Sequence, residues 1–268
     1  MRYLRIRLFT TAALVACAAL SSIAHAQTPG QGGGTSPIPL NPAAPKGEFH
    51  GSLTAGVSIE TGRTDLTGTQ ILFNGQQSFS STGIFTTALS YTHATTLPPG
   101  RSSRITVANR LDAGFGIEQN VRKHGIMSLR SQALRDPIAR IDYRFEELVG
   151  FGLRTAGKRA EFRAVPGLAF LWDDKNIAAE EGHHTHYGFY QDFRAQLSPT
   201  FMFLQTAAAS RNFVNAKDYI VSFDARLLGM ITKMIGVQIS YTFNLESILP
   251  PGVDHEYAKT MAGVQIRF

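Results

Sequence analysis

The chain has 268 residues, 43% of them hydrophobic and 17% charged, with one cysteine and a formal net charge of +6. No stretch after residue 26 reaches the roughly twenty apolar residues of a membrane-spanning helix, which excludes a helical membrane protein. One cysteine excludes a disulfide framework. The basic residues do not interleave with aromatics as a nucleic-acid surface requires, so no nucleic-acid partner is expected.

Residues 1–26 read as a secretory signal peptide. Arg2, Arg5 and Arg7 form a basic start, Leu8 to Ile23 is apolar, and Ala24-His25-Ala26 is a small-x-small cleavage site. Three of the 26 basic residues would leave with this leader, lowering the charge from +6 to +3. Leu14-Val15-Ala16-Cys17 also resembles a lipobox, which would make Cys17 a lipidated N-terminus. Cleavage at 26 would instead leave a mature chain without cysteine. Residues 27–46 are rich in Gly and Pro and lack a core pattern, as expected of a flexible periplasmic linker.

From 47 to 268 the chain alternates apolar and polar residues in segments separated by turn signals. The expected strands are 48–60, 67–80, 83–95, 102–118, 124–134, 140–154, 158–172, 185–197, 200–211, 218–228, 235–246 and 257–268. In the first, Phe49, Leu53, Ala55, Val57 and Ile59 share the outward face. In the fourth, Ile105, Val107, Leu111, Phe115 and Ile117 share one face. The segment 235–246 is the cleanest, with Ile235, Val237, Ile239, Tyr241, Phe243 and Leu245 on one side. Twelve strands, with ten as the alternative, predict an all-β fold: a transmembrane antiparallel up-and-down β-barrel. Loops after odd strands tend to be long and those after even strands tight, the asymmetry of a barrel with short periplasmic turns.

The final segment pairs an apolar face (Thr260, Ala262, Val264, Ile266, Phe268) with another made of Met261, Gly263, Gln265 and Arg267. An exposed edge strand ending on an aromatic would promote aggregation in a soluble protein; in a closed barrel it pairs with the first strand and faces lipid. Gly263, Ile266 and Phe268 resemble the C-terminal assembly signal of outer-membrane barrels, with Met261 departing from a usually polar position. This implies outer-membrane lipids and the barrel assembly machinery as partners. The bacterial outer membrane is the expected location, with both termini periplasmic.

Three stretches resemble the family labelled domain of unknown function 481, the YdiY-like salt-induced outer-membrane proteins. They are Gly51-Ser-Leu-Thr-Ala-Gly56 followed by Thr61-Gly62-Arg63-Thr64-Asp65, in which Arg63 replaces the family's Asn; Arg135-Asp136 with Ile141-Asp142-Tyr143-Arg144 and Gly150-Phe151-Gly152; and Pro250-Pro251-Gly252-Val253 with the strand to Phe268. The resemblance covers about 47–268. It implies an outer-membrane barrel linked to salt or osmotic stress and supplies no catalytic residues.

An acid, one residue and an arginine recur as Asp142-x-Arg144-x-Glu146, Glu161-x-Arg163, Asp192-x-Arg194 and Asp224-x-Arg226, with Arg110-x-Asp112 reversed. A spacing of two puts both charges of a pair on one face of a strand. The intervening Tyr143, Phe162, Phe193 and Ala225 suit lipid, so the charges are expected in the lumen. There they either stiffen and fill the barrel or line a hydrated small-solute pore. A sealed structural or adhesive barrel acting through its extracellular loops is an alternative. So is an enzyme at the lipid rim, although no nucleophile elbow or zinc-protease motif is present and no enzymatic activity is expected. His183, His184 and His186, near Asp173, Asp174, Glu180 and Glu181 in the longest expected loop, are competent metal-ligand types, but their spacing fits no closed site. No cofactor is expected, and the sequence does not fix the oligomeric state.

Overall fold

The computed structural model describes residues 47–60, 65–80, 82–98, 100, 102–137, 140–174, 182–249 and 255–268. The expected signal peptide with Cys17, the expected linker over 27–46, Gly62-Arg63 and Pro250 to Val253 lie outside them. Twelve strands follow in chain order: β1 (Phe49–Glu60), β2 (Asp65–Ser78), β3 (Gly83–Leu97), β4 (Ile105–Asn120), β5 (Gly125–Asp136), β6 (Ile141–Ala156), β7 (Ala160–Asp174), β8 (Gly182–Gln196), β9 (Phe201–Asn212), β10 (Tyr219–Met230), β11 (Ile235–Glu246) and β12 (Glu256–Arg267). Each pairs antiparallel with its sequence neighbours, and β12 closes on β1 to complete a barrel.

Closure satisfies every edge, as a sheet in lipid requires. The β1–β12 seam is short, running from Ser52↔Arg267 to Val57↔Ala262, whereas β1 and β2 pair from Phe49↔Gln77 to Glu60↔Leu66. It is finished by a reciprocal pair of backbone bonds, Gly51 N–H to Phe268 O at 2.8 Å and Phe268 N–H to Gly51 O at 3.0 Å. Outside, the rings of Phe49, Phe73 and Phe268 stack in a row, with centroids 6.4 and 6.5 Å apart.

Connections at the end carrying both ends of the barrel chain are uniformly tight: 79–82, 121–124, 157–159, 197–200 and 231–234. In three of them a hydroxyl caps the turn: Ser80 accepts from Thr82 N–H, Ser198 from Thr200 and Phe201 N–H, and Thr232 from Met234 and Ile235 N–H. At the far end the connections run up to 247–255, the longest. Leu249 of that loop packs on Leu134 and Ile141.

The two faces of the sheet are sharply different. Outward side chains such as Ile239 and Leu153 are 57% and 63% exposed, a belt that only lipid would cover. Inward side chains are buried, including Thr54 at 0%, Ser90 at 1% and Tyr190 at 1%. Ile126, Leu148, Val165, Ala169, Leu171 and Tyr190 form an apolar core inside the barrel on the β5–β8 side.

One expected facing fails. Val107 is expected on one face with Ile105 and Leu111, but those two are exposed while Val107 is buried against Ala94. The cause is a bulge: Ala94 pairs with Ala108 and Thr95 with Thr106, so Val107 is the extra residue and the alternation slips by one. A second irregularity, at Pro166, keeps register. The β6–β7 ladder pairs Gly150↔Gly167 and resumes at Leu153↔Ala164. Proline offers no N–H there, and the backbones crowd: a Cβ on Gly167 would sit 2.2 Å from Val149 O, and one on Gly152 2.1 Å from Ala164 O.

Candidate functional site

The charged residues anticipated on the inner face meet in two layers. The layer at the far end centres on Arg144, the fourth residue of β6. Its guanidinium donates to Asp173, near the end of β7, from Nε at 2.6 Å and Nη2 at 3.1 Å. It also donates from Nη1 to Glu246, the last residue of β11, at 3.0 Å. In the barrel order β6 and β11 stand five places apart, so this contact spans the lumen. Arg110 joins the layer, holding Asp112 from Nε and Nη2 at 2.7–3.0 Å and lying 3.8 Å from Asp136.

The second layer lies toward the termini end. Glu118 of β4 accepts from Arg163 Nη1 of β7 at 2.9 Å and lies 3.5 Å from Arg130 Nη2 of β5. The Tyr190 hydroxyl of β8 sits 3.1 Å from Glu118 Oε1 and 2.8 Å from Ser128 Oγ, and the Arg130 guanidinium stacks 3.3 Å over the Tyr190 ring. Arg130 also reaches Asp192, whose other oxygen accepts from Thr206 at 3.0 Å. Glu161 takes Arg163 Nε and Nη2 at 2.8 and 2.6 Å, with Arg154 Nε 2.8 Å away. Asp224 holds Arg226 Nε at 2.5 Å and Thr242 Oγ1 at 2.9 Å.

Three of the five spaced pairs therefore meet within their own strand: Arg110–Asp112, Glu161–Arg163 and Asp224–Arg226. In the other two, Arg144 and Asp192 bond to other strands. Arg144 takes Asp173 and Glu246, with Asp142 exposed at the strand's start and Glu146 half-buried on the same face. Asp192 takes Arg130, and Arg194 borders a cavity nearer the termini end. Glu118, Arg130, Arg154, Asp136, Asp173, Glu246 and Tyr190 are members that spacing alone did not single out. Parity could have found Glu118, which shares the inward face of β4 with Asp112, but nothing local marks its partners.

The histidines do not converge. β8 begins at Gly182, so His183 and His184 lie on a strand rather than in the loop, and alternation separates them. His183 is exposed, edge-on to Trp172 with ring centroids 5.6 Å apart. His184 and His186 share the opposite parity. His186 is buried, 3.3 Å from both Ser210 Oγ and Asp218 Oδ2. Asp218 is also bonded by Asn212 Nδ2 at 2.8 Å, so this group ties β8, β9 and the 213–218 connection together. Among the described residues no set of three or more His, Cys, Asp or Glu side chains could hold a metal ion. Of the residues expected to form an assembly signal, Ile266 and Phe268 face outward at 47% and 59% exposure. Gly263 lies against Gly56, where a Cβ would approach Ala55 O to 2.7 Å.

A closed twelve-strand antiparallel barrel with an apolar outer belt and a polar, ion-paired interior is the architecture of bacterial outer-membrane proteins. The chain belongs to the family described as "Protein of unknown function, DUF481", which matches residues 53–268. Among solved structures it is similar to the COG4313 outer membrane channel from Pseudomonas putida F1, at 11% identity and a TM-score of 0.50 over 84% of this chain and 97% of that one. It is also similar to the translocator domain of the autotransporter NalP from Neisseria meningitidis (10% identity, TM-score 0.48, 84% and 90% covered) and to the NanC porin (9%, 0.46, 81% and 97%). At these identities the likeness is one of fold. No curated protein matches the chain.

Proposed function

We propose that this outer-membrane barrel serves envelope integrity with its lumen closed at rest, its termini facing the periplasm, and no enzymatic role. The observation that carries the reading is Arg144, held between Asp173 and Glu246 from the far side of the lumen. A hydrated channel leaves its lining side chains wet; here Thr54, Ser90 and Tyr190 are at most 1% exposed. Both layers are held by arginines on carboxylates, and a guanidinium fork holds a carboxylate in a fixed geometry. Buried ion pairs add little net stability but cost several kcal/mol when one partner is removed, so such a lattice fixes an arrangement. The salt-stress connection is inherited from the family resemblance. The strand β12, with Gly263, Ile266 and Phe268, is the segment we assign to recognition by the assembly machinery.

A second reading, a small-solute pore gated by the Arg144 bridge, draws on a cavity of about 550 Å³ toward the termini end. Planar-bilayer recording of the refolded protein separates the two. The closed barrel gives no steady openings in the wild type, and an Arg144→Ala/Glu246→Gln variant gains them. Steady wild-type conductance that the double substitution leaves unchanged would overturn the closed reading.

A further inference from the structure

The cavity toward the termini end has a chemical character that the lattice does not explain. Arg194 of β8, Arg226 of β10, Lys233 of the 231–234 turn and Arg267 of β12 converge on it, and none of its lining residues is Asp or Glu. Gln238 and Gln265 line it too; both are buried, at 4% and 6% exposure, and both carry amide donors. Arg226 is braced from behind by Asp224. Arg267 bonds a neutral partner, Gln265 Oε1, at 3.3 Å, and among the described residues no carboxylate lies within 4 Å of Arg267 or Lys233. Glu48, exposed beside the cavity, lies 3.7 Å from the lining His50.

We propose that this cavity is a binding site for a small oxyanion, a carboxylate or phosphate carried on a hydroxylated solute. Cations converging in a cleft with low-dielectric walls focus positive potential and concentrate anions there. Guanidinium forks match carboxylate and phosphate geometry, while the lysine and amides supply further donors. A volume of about 550 Å³ is that of a small-molecule site. The same chemistry could be met by a soluble anion or by the phosphate of a lipid headgroup at the rim. The site stands whether or not the lumen conducts.

The test is calorimetric titration of the refolded protein in a neutral maltoside detergent with citrate and with glycerol 3-phosphate, using glycerol as the uncharged control. Saturable binding of an anion and none of glycerol is expected. Arg267→Gln should weaken binding about tenfold or more, and Lys233→Gln severalfold, with the heat-dependent gel shift of the folded barrel unchanged. Lys233 lies in a turn, so its variant carries the test if Arg267→Gln fails to assemble. Repetition in phosphatidylcholine and phosphatidylglycerol nanodiscs identifies the source: loss of soluble-anion binding only with the anionic lipid assigns the site to a headgroup. The absence of saturable anion binding, or binding that both substitutions leave unchanged, would overturn the proposal.

Discussion

The two ends of the lumen are built from the same residue types and come out differently. At the far end Arg144 is enclosed by Asp173 and Glu246, Arg110 by Asp112 and Asp136, and Leu249 folds down over Leu134 and Ile141. At the termini end Arg194, Arg226, Lys233 and Arg267 border a cavity without a lining acid. The difference shows that spacing along a strand places a charge on the inner face but does not choose its partner. The partner is chosen by which strands stand opposite, and by where along each strand a carboxylate happens to fall.

The largest effect expected from breaking this contrast is at Arg144. Arg144→Ala removes the guanidinium shared by Asp173 and Glu246 across the lumen and should cost about 3–5 kcal/mol, measured by urea unfolding in micelles. Arg267→Ala, at the open end where the guanidinium bonds the neutral Gln265, should cost clearly less; equal losses would erase the distinction between the ends. The outer belt sharpens the frame in which both ends sit. Ile239→Arg should destabilise the barrel in bilayers by about 2–4 kcal/mol if it faces the lipid midplane, with little change in detergent unfolding kinetics of the neighbouring lumen position.

Smaller effects probe the filled interior itself. Gly167→Ala places a methyl against Val149 O and should cost about 1–3 kcal/mol as overpacking, read by the same unfolding measurement. Tyr190→Phe removes the hydroxyl shared between Glu118 and Ser128 and should cost about 1–2 kcal/mol. A substitution at Tyr190 with no effect would mean that the second layer is wet rather than packed.

Much of the architecture was legible because a sheet between lipid and a polar interior imposes a period of two on every strand. The segment 235–246 coincides with β11, and all twelve strands lie close to the alternating segments. The exceptions are instructive. Val107 sits at a bulge, and a single inserted residue is invisible to alternation read on one strand, since it shows only in the register with β3. His183 and His184 looked like loop residues because they are polar on both faces, yet hydrogen bonding to β7 continues through them. For the lattice, Arg110–Asp112, Glu161–Arg163 and Asp224–Arg226 were readable as local pairs, while Arg144–Glu246 joins residues 102 apart and Arg130–Asp192 joins residues 62 apart. No local signal encodes such a contact, because it exists only once the sheet has closed.

Water access along the lumen separates a filled barrel from an open one. The sole cysteine in the sequence is Cys17, so single cysteines can be placed in a barrel expressed from residue 27 onward, which lacks any other. Ser52→Cys borders the cavity toward the termini, and Ser128→Cys lies beside Tyr190 at 1% exposure. With a charged, water-soluble methanethiosulfonate reagent, a closed lumen gives rapid labelling at 52 and labelling at least about a hundredfold slower at 128, with Arg144→Ala accelerating reaction at 128 by admitting water from the far end. Equally rapid labelling at both positions in the otherwise wild-type barrel would contradict a closed lumen.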